Sequence, residues 1–212
     1  MRSLMIDRAV VVLLSWVTAG AAMPGLAALP TAFAPRVSAQ APGVKAIDDL
    51  ESYAAYSALL PDAAMLQMRR SMIVIQAEAT TAPQCWPSGP PMETDWKSNL
   101  ERLRAENAHA RTILPGFALS VPYIVLSKAD VKAAFTGDPI DWKPFYNRYP
   151  DSAGYLQLSA VGFDADQTKA ILYLGHSYNN MGGEYSYHLL QKVAGRWQDT
   201  RVPGVNTCAS MA

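Results

Sequence analysis

The sequence predicts an α+β fold: a mainly antiparallel sheet with a C-terminal four-strand meander, and helices packed on one face of that sheet. Two observations support this prediction. Helical patterns and two isolated strands occupy residues 48–150, whereas strand-like segments joined by short turns fill residues 155–202. Within these C-terminal segments the apolar and polar side chains alternate, as they do in a sheet that buries one face.

Residues 1–39 have the composition of a secretory signal peptide. A basic N-terminus precedes an apolar run over residues 9–22, and residues 37–39 (VSA) form a small-x-small cleavage motif. We therefore expect an exported protein, periplasmic or secreted, with a flexible segment at 40–47 and a single globular domain at 48–212.

Two alternatives to this interpretation of the N-terminus stay open. The signal peptide could be cleaved earlier, near Ala21 or Ala28. The apolar run could also be a membrane anchor, although it is shorter than the roughly 20 residues that a membrane-spanning helix needs.

The charge balance excludes some classes of partner. The chain has 18 basic and 18 acidic side chains, and loss of residues 1–39 would leave a slight acidic excess. This provides no basic surface for nucleic acid and no polybasic patch for anionic lipid. We expect no nucleic-acid partner and no stable membrane insertion after signal removal. The candidate partners are another envelope protein or a small molecule.

The two cysteines, Cys85 and Cys208, suit an oxidising compartment. An even number of cysteines there favours a disulfide bond. Such a bond would tie the Pro-rich loop at residues 80–93 to the C-terminal tail. Two separate buried thiols are the alternative.

The first half of the domain begins with a helix and a strand. Asp48 and Glu51 form a capping-box pattern at the start of the first helix, and Pro61 is expected to end it. Residues 71–79 are apolar enough for a buried strand. A second helix is predicted over residues 95–108, with an apolar side made of Trp96, Leu100 and Leu103.

A further strand and two short helices complete this half. Residues 117–126 predict a strand, in which Pro122 favours an edge position because it lacks an amide donor. Ser127 begins one short helix and Asp141 can cap the other. The second helix carries aromatic residues spaced for core packing: Trp142, Phe145, Tyr146 and Tyr149.

The first hairpin of the meander has a five-residue loop at 164–168. Pairing Phe163 with Lys169 makes Val161 oppose Ile171 and places six apolar side chains on one face. These side chains are Leu156, Leu158, Ala160, Ala170, Leu172 and Leu174.

The second hairpin turns through residues 177–183. Pairing His176 with Glu184 places Tyr185 over Gly175 and sets two tyrosines opposite each other, Tyr173 and Tyr187. A last turn at residues 193–195 leads into a closing strand that contains Trp197.

Two segments of the meander, LSAVGFDADQTKAILYLGH (158–176) and YSYHLLQKVAGRW (185–197), resemble an uncharacterised family of exported bacterial proteins. The shared pattern is LSxVGF…TxAxxYxGH…GG…LLxK…GxW. Upstream, YAAYSALL, VPYIVLS and WKPFYNRYP are similar to the same family, so the resemblance spans most of residues 50–200. It implies export and a common fold, and no established activity. Many members carry cysteines in the glycine-rich loop, where this chain has none.

The candidate binding site is this glycine-rich loop and its flanks: His176, Asn179, Asn180, Glu184 and Tyr185. A histidine beside a carboxylate can act as a general base, and a strand-end salt bridge is the alternative interpretation of that pair. His188 shares a face with His176, but roughly 13 Å of strand separates them, too far for a shared metal. We expect no metal site and no cofactor.

The motifs of common enzyme classes are absent from the sequence. There is no G-x-G-x-x-G, P-loop, G-x-S-x-G or H-E-x-x-H. We therefore expect an exported binding or interaction domain without catalysis. The alternative is a periplasmic hydrolase that uses His176 and Glu184 to activate a water molecule. The sequence identifies no attacking nucleophile for it, although Ser177 is adjacent in the chain.

Overall fold

The computed structural model describes residues 43–65, 72–81, 85–135, 141–180 and 182–211. The predicted signal peptide and its cleavage sites lie outside the described residues.

Strands and helices are interspersed up to residue 150, and the elements described after residue 150 are strands. The elements are β1 (Lys45–Ile47), α1 (Leu50–Met65), β2 (Met72–Gln76), α2 (Pro90–Glu93), α3 (Lys97–Asn107), β3 (Arg111–Ile113), β4 (Tyr123–Leu126), α4 (Lys128–Ala133), α5 (Lys143–Arg148), β5 (Ser152–Leu158), β6 (Gly162–Phe163), β7 (Lys169–Asn179), β8 (Gly182–Val193), β9 (Arg196–Thr200) and β10 (Ser210–Met211).

Eight of these strands form one mixed sheet. Its order is β10-β8-β7-β5-β2-β4, with β6 paired to β7 and β9 paired to β8. Strand β2 runs parallel to β4 and β5, and the other ladders are antiparallel. The predicted α+β class and C-terminal meander are confirmed.

A separate parallel pair, β1 with β3, and the tail strand β10 were not predicted. Strand β1 falls inside the segment 40–47 that we expected to be flexible. Its residues pair with Arg111–Ile113, so the ordered fold begins before residue 48.

One face of the sheet packs against α1. Tyr56 and Leu60 of this helix are fully buried and belong to the same cluster as the predicted core residues. All six of those residues are at most 4% exposed: Leu156, Leu158, Ala160, Ala170, Leu172 and Leu174. The predicted burial of this face is confirmed.

The opposite face is covered as well, which corrects the expectation that the helices pack on one face. Ile171 and Tyr173 of β7 pack there with Trp96 and Leu103 of the α2–α3 region. Farther along, α4 and α5 pack over β2, with Phe145 fully buried. The reason is visible in β7, whose residues between the predicted core positions are apolar too, as in strands buried on both faces.

The register of the β7–β8 hairpin is confirmed. His176 pairs with Glu184, Gly175 with Tyr185, and Tyr173 with Tyr187. The strands continue beyond the predicted ends, because Asn179 still pairs with Gly182 after a register shift. The turn is therefore shorter than the expected seven residues.

The β5–β7 register is confirmed at Leu158, which pairs with Leu174. Nearer the turn it is wrong by one residue, because Phe163 pairs with Ala170 instead of Lys169 and Gly162 opposes Ile171 in place of Val161. The shift arises where the chain leaves the ladder after β5. There the Ser159 hydroxyl, in place of a main-chain carbonyl, accepts a hydrogen bond from the Tyr173 amide at 2.8 Å.

Helix α1 differs from its prediction at both ends. Asp49 caps it, since its Oδ1 accepts from the Ser52 amide at 2.7 Å, one residue later than Asp48. The helix also continues past Pro61 to Met65. Proline costs a helix one hydrogen bond but does not force the chain to leave it. Glu51 does not complete a capping box, and its Oε2 accepts from Lys192 and Trp197 at 2.8 and 3.0 Å.

Other local predictions are confirmed. The Ser127 hydroxyl accepts from the Asp130 amide at 3.0 Å and caps α4. The strand predicted over residues 117–126 is shorter, Tyr123–Leu126, so Pro122 lies just before it; this strand does lie at the sheet edge, as predicted. Phe145 and Tyr149 are buried, so the aromatic residues of α5 serve the core.

Cys85 and Cys208 lie at disulfide distance, with their Cα atoms 6.2 Å apart. Two backbone hydrogen bonds between Ser88 and Asn206, at 3.1 and 2.8 Å, hold the same two segments together. The C-terminal tail is therefore fixed against the loop that precedes α2.

Candidate functional site

His176 lies in the interior of the protein. Only 3% of its surface is exposed, its Nε2 is 2.6 Å from the Ala153 carbonyl oxygen, and its ring packs on Tyr178. Burial lowers the pKa of this imidazole. Because a carbonyl only accepts, Nε2 carries the hydrogen, and Nδ1 has no hydrogen-bond partner among the described residues. The side chain is a neutral, buried imidazole.

The groups needed for a hydrolase at this place do not converge. Glu184 stands opposite His176 in the ladder. The Ser177 hydroxyl, however, lies 2.9 Å from the Tyr185 hydroxyl on the other face of the sheet. Neighbouring residues of a strand point to opposite faces, so Ser177 and His176 cannot act on one substrate atom.

The five predicted binding residues are divided in the same way. His176 and Glu184 belong to one face, Tyr185 belongs to the other, and Asn179 and Asn180 are exposed at the end of the hairpin. The predicted set therefore does not form one continuous site. The alternation of strand side chains, which the predicted register already contained, accounts for this separation.

The ring of Tyr185 covers Gly175 on the neighbouring strand, as predicted. A Cβ atom at Gly175 would approach this ring to 2.9 Å, so only glycine allows the contact without displacement. The Tyr185 hydroxyl is fixed by Ser177. Burial raises the pKa of the nearby Tyr155 hydroxyl, and a hydrogen bond with Ser177 opposes that rise. Ser177 therefore links two tyrosines.

Tyr185 also lines an open groove of about 370 Å³, together with Tyr173, Asn206 and Cys208. We call this the Tyr185 groove. Burial raises the pKa of Tyr173 to about 12, so its hydroxyl keeps its proton at neutral pH and can donate a hydrogen bond. Aromatic walls with a few polar groups are the usual lining of ligand sites.

Sequence reasoning missed Tyr173 and Asn206 as members of this groove. The predicted register could have placed Tyr173 there, because it shares a face with Tyr185 two pairs away. Asn206 follows the last predicted strand and reaches the groove through the Cys85–Cys208 connection. No periodicity in the sequence predicts that approach.

Within the described residues no group of three or more His, Cys, Asp or Glu side chains could hold a metal ion. In the same part of the chain, no helix combines the length and apolar character needed to cross a membrane.

Comparisons of the chain with protein-family profiles, curated proteins and solved structures found no match.

Proposed function

We propose that this chain is an exported binding or interaction domain that holds its ligand in the Tyr185 groove. The observation that carries the proposal is the position of Tyr185, which sequence reasoning selected and which lines an open groove with Tyr173 and Asn206. Within this proposal, Asn179 and Asn180 at the hairpin end form a secondary contact surface.

Export is supported by the signal-peptide pattern of residues 1–39 and by the cysteine pair at disulfide distance, which suits an oxidising compartment. The resemblance of the meander to an uncharacterised family of exported proteins supports the same location. The binding partner is then another envelope protein or a small molecule outside the cytoplasm.

The chemistry of the groove favours a ligand with both an apolar surface and hydrogen-bonding groups. Tyrosine rings provide flat contact area, while the Tyr173 hydroxyl and the Asn206 amide provide donors and an acceptor. A sugar ring or a short extended peptide combines these properties.

The alternative of a hydrolase built on His176 and Glu184 receives no support from the geometry. His176 is buried and bonded to a main-chain carbonyl, and the adjacent hydroxyl of Ser177 serves the opposite face. The position of His176 therefore favours binding over hydrolysis at this residue.

The test is a titration of the isotope-labelled protein with N-acetylated oligosaccharides and short peptides, followed by amide NMR shifts. Binding should shift amides of Tyr185 and Asn206, and Tyr185→Ala should weaken it at least tenfold. Leu50→Ala, a large exposed side chain remote from the groove, is the matched control and should leave affinity unchanged.

Two results would contradict the proposal. One is an absence of shifts around the groove with every ligand of the panel. The other is binding that survives Tyr185→Ala but is lost when Asn179 and Asn180 are both changed to Ala, because the hairpin end would then be the primary site.

A further inference from the structure

A second polar arrangement lies on the opposite face of β8 from Tyr185. Ser186 and His188 are two residues apart on this strand and therefore share a face. The Ser186 Oγ is 3.0 Å from His188 Nε2, and His188 Nδ1 is 2.8 Å from Asp199 Oδ2 on β9. Serine, histidine and aspartate are thus joined in one hydrogen-bonded chain.

The hydrogen-bond roles in this chain follow from the carboxylate. An ionised Asp199 can only accept, so His188 Nδ1 carries the hydrogen that is donated to it. In the neutral imidazole, Nε2 is then unprotonated and accepts from the Ser186 hydroxyl. This is the tautomer in which a histidine withdraws a proton from a serine nucleophile.

The three residues are partly exposed to solvent. His188 and Asp199 side chains are 21% and 46% exposed, and Ser186 is half-buried. All three line an open cleft of about 570 Å³, whose other wall is the chain from Thr200 to Ala209. In contrast to His176, this histidine can meet a substrate.

We propose that Ser186, His188 and Asp199 form a nucleophilic site for carboxylic esters, an activity beyond the binding function proposed above. Ser186 and His188 are the catalytic residues, and Asp199 is a positioning residue that holds the imidazole. Geometry and roles, and not the order in the chain, identify such a set.

The reaction balances with water as the only co-reactant. Ser186 Oγ bonds to the ester carbonyl carbon while its proton passes to His188 Nε2. The tetrahedral intermediate then breaks its bond to the alcohol oxygen, and His188 returns the proton to the leaving alcohol. Water attacks the acyl-serine with His188 as base, which releases the carboxylic acid and restores the serine hydroxyl.

The cleft also contains a cation that favours one group of esters. Arg201 lines it, and its guanidinium makes no hydrogen bond or ion pair within the described part of the chain. A free guanidinium in a cleft attracts carboxylates, often through two parallel hydrogen bonds. The substrate class is therefore an ester that carries a negative group.

The first experiment treats the oxidised protein with a fluorophosphonate, which forms a phosphonyl-serine as fluoride leaves. Peptide mass mapping should find the label on Ser186. The labelling rate should fall about 100-fold or more in His188→Gln, the usual size of a general-base contribution. His109→Gln, at the exposed end of α3, and Ser98→Ala, on the surface of that helix, are controls with unchanged labelling.

Asp199 needs a readout that a purely structural role would not change. Asp199→Asn should slow labelling at an unchanged melting temperature, and Asp199→Glu should restore part of the rate. An unlabelled Ser186 in the folded wild-type protein would overturn the proposal without any variant. Labelling of Ser186 at the same rate in His188→Gln would overturn it as well.

The second experiment measures hydrolysis of 4-acetoxybenzoate and 4-acetoxybenzamide, a matched pair that differs in charge. We expect a lower KM for the anionic ester, and a roughly tenfold rise in that KM with Arg201→Gln. Equal KM values for the two esters in the wild-type protein would refute the selection for negative charge.

Discussion

The buried imidazole of His176 should make the stability of this protein depend on pH. Burial lowers its pKa in the folded state, whereas an exposed histidine of the unfolded chain titrates near pH ~6.5. The unfolded state therefore binds more protons once the pH falls below that value. Since the state that binds more protons is favoured by acid, the free energy of unfolding decreases from there down to the folded pKa.

The linkage relation limits how much the free energy of unfolding can fall. One histidine that stays neutral in the folded state costs at most about 1.4 kcal/mol per pH unit, or about 2 kcal/mol between pH ~6.5 and ~5. His176 should stay below this limit, because burial lowers its pKa while the hydrogen bond to the Ala153 carbonyl and the charge of Glu184 raise it.

The assay is urea unfolding of the wild-type protein and His176→Gln at several pH values between 5 and 8. Glutamine can still donate to the Ala153 carbonyl but does not titrate, so its free energy of unfolding should fall less steeply toward acid. His109→Gln removes an exposed histidine and should retain the wild-type slope. Identical slopes for wild type and His176→Gln would refute the burial argument.

Three further predictions concern the backbone, an ion pair and the disulfide. Gly154→Ala should cost at least about 3 kcal/mol in urea unfolding, because its φ is +102° and a Cβ atom there would collide with a carbonyl oxygen. Gly195→Ala, where φ is +78° and the space around the residue is open, should cost about 1–2 kcal/mol. Equal costs for the two variants would contradict the collision at Gly154. Hydrogen bonding by Lys192 lowers the pKa of Glu51, so the wild type should lose stability as the pH falls through that pKa. Glu51→Gln should remove this pH-dependent loss. Because the carboxylate is partly exposed, the substitution should lower the free energy of unfolding by less than about 1 kcal/mol at neutral pH. Cys85→Ser should lower the free energy of unfolding by about 2–5 kcal/mol, given a separation of 123 residues; two alkylatable thiols in the native wild type would contradict the bond.

The meander was predictable because its turns limit the possible registers. The single connection between β7 and β8 and a side-chain period of two fix which residues of these strands face each other. The error near Phe163 has a different origin. It lies where the chain leaves β5, at the Ser159–Tyr173 hydrogen bond described above. Next to it, the Asn107 Oδ1 accepts from the Ala160 amide at 2.9 Å, and no local pattern in β5 or β6 reveals a partner from α3.

The helix positions were predictable only in part. Strand β7 carries apolar residues on both faces, and a run such as AILYL indicates that neither face meets water. We expected one covered face because the predicted register of the first hairpin places six apolar side chains on a single face. The pair β1–β3 was missed because three-residue strands carry too little periodicity to detect.

The candidate sites depend on contacts between distant parts of the chain. Tyr185 was found from the predicted register, but its groove needs Asn206 from the tail. The alternation of side chains along β8 could have predicted that Ser186 and His188 are neighbours on one face. Asp199 joins them because β9 pairs with β8, where Leu190 opposes Asp199, and this register follows from the tight turn at Ala194 and Gly195.

The register of β8 against β7 underlies the Tyr185 groove, and nuclear Overhauser contacts of the Tyr185 ring test it most directly. We predict contacts from this ring to the α-protons of Gly175, together with contacts between the Tyr173 and Tyr187 rings. Contacts from the Tyr185 ring to the side chain of Leu174 or His176 would instead show a slip by one residue. Such a slip would move Tyr185 to the opposite face, away from Gly175 and Tyr173, and remove the Tyr185 groove.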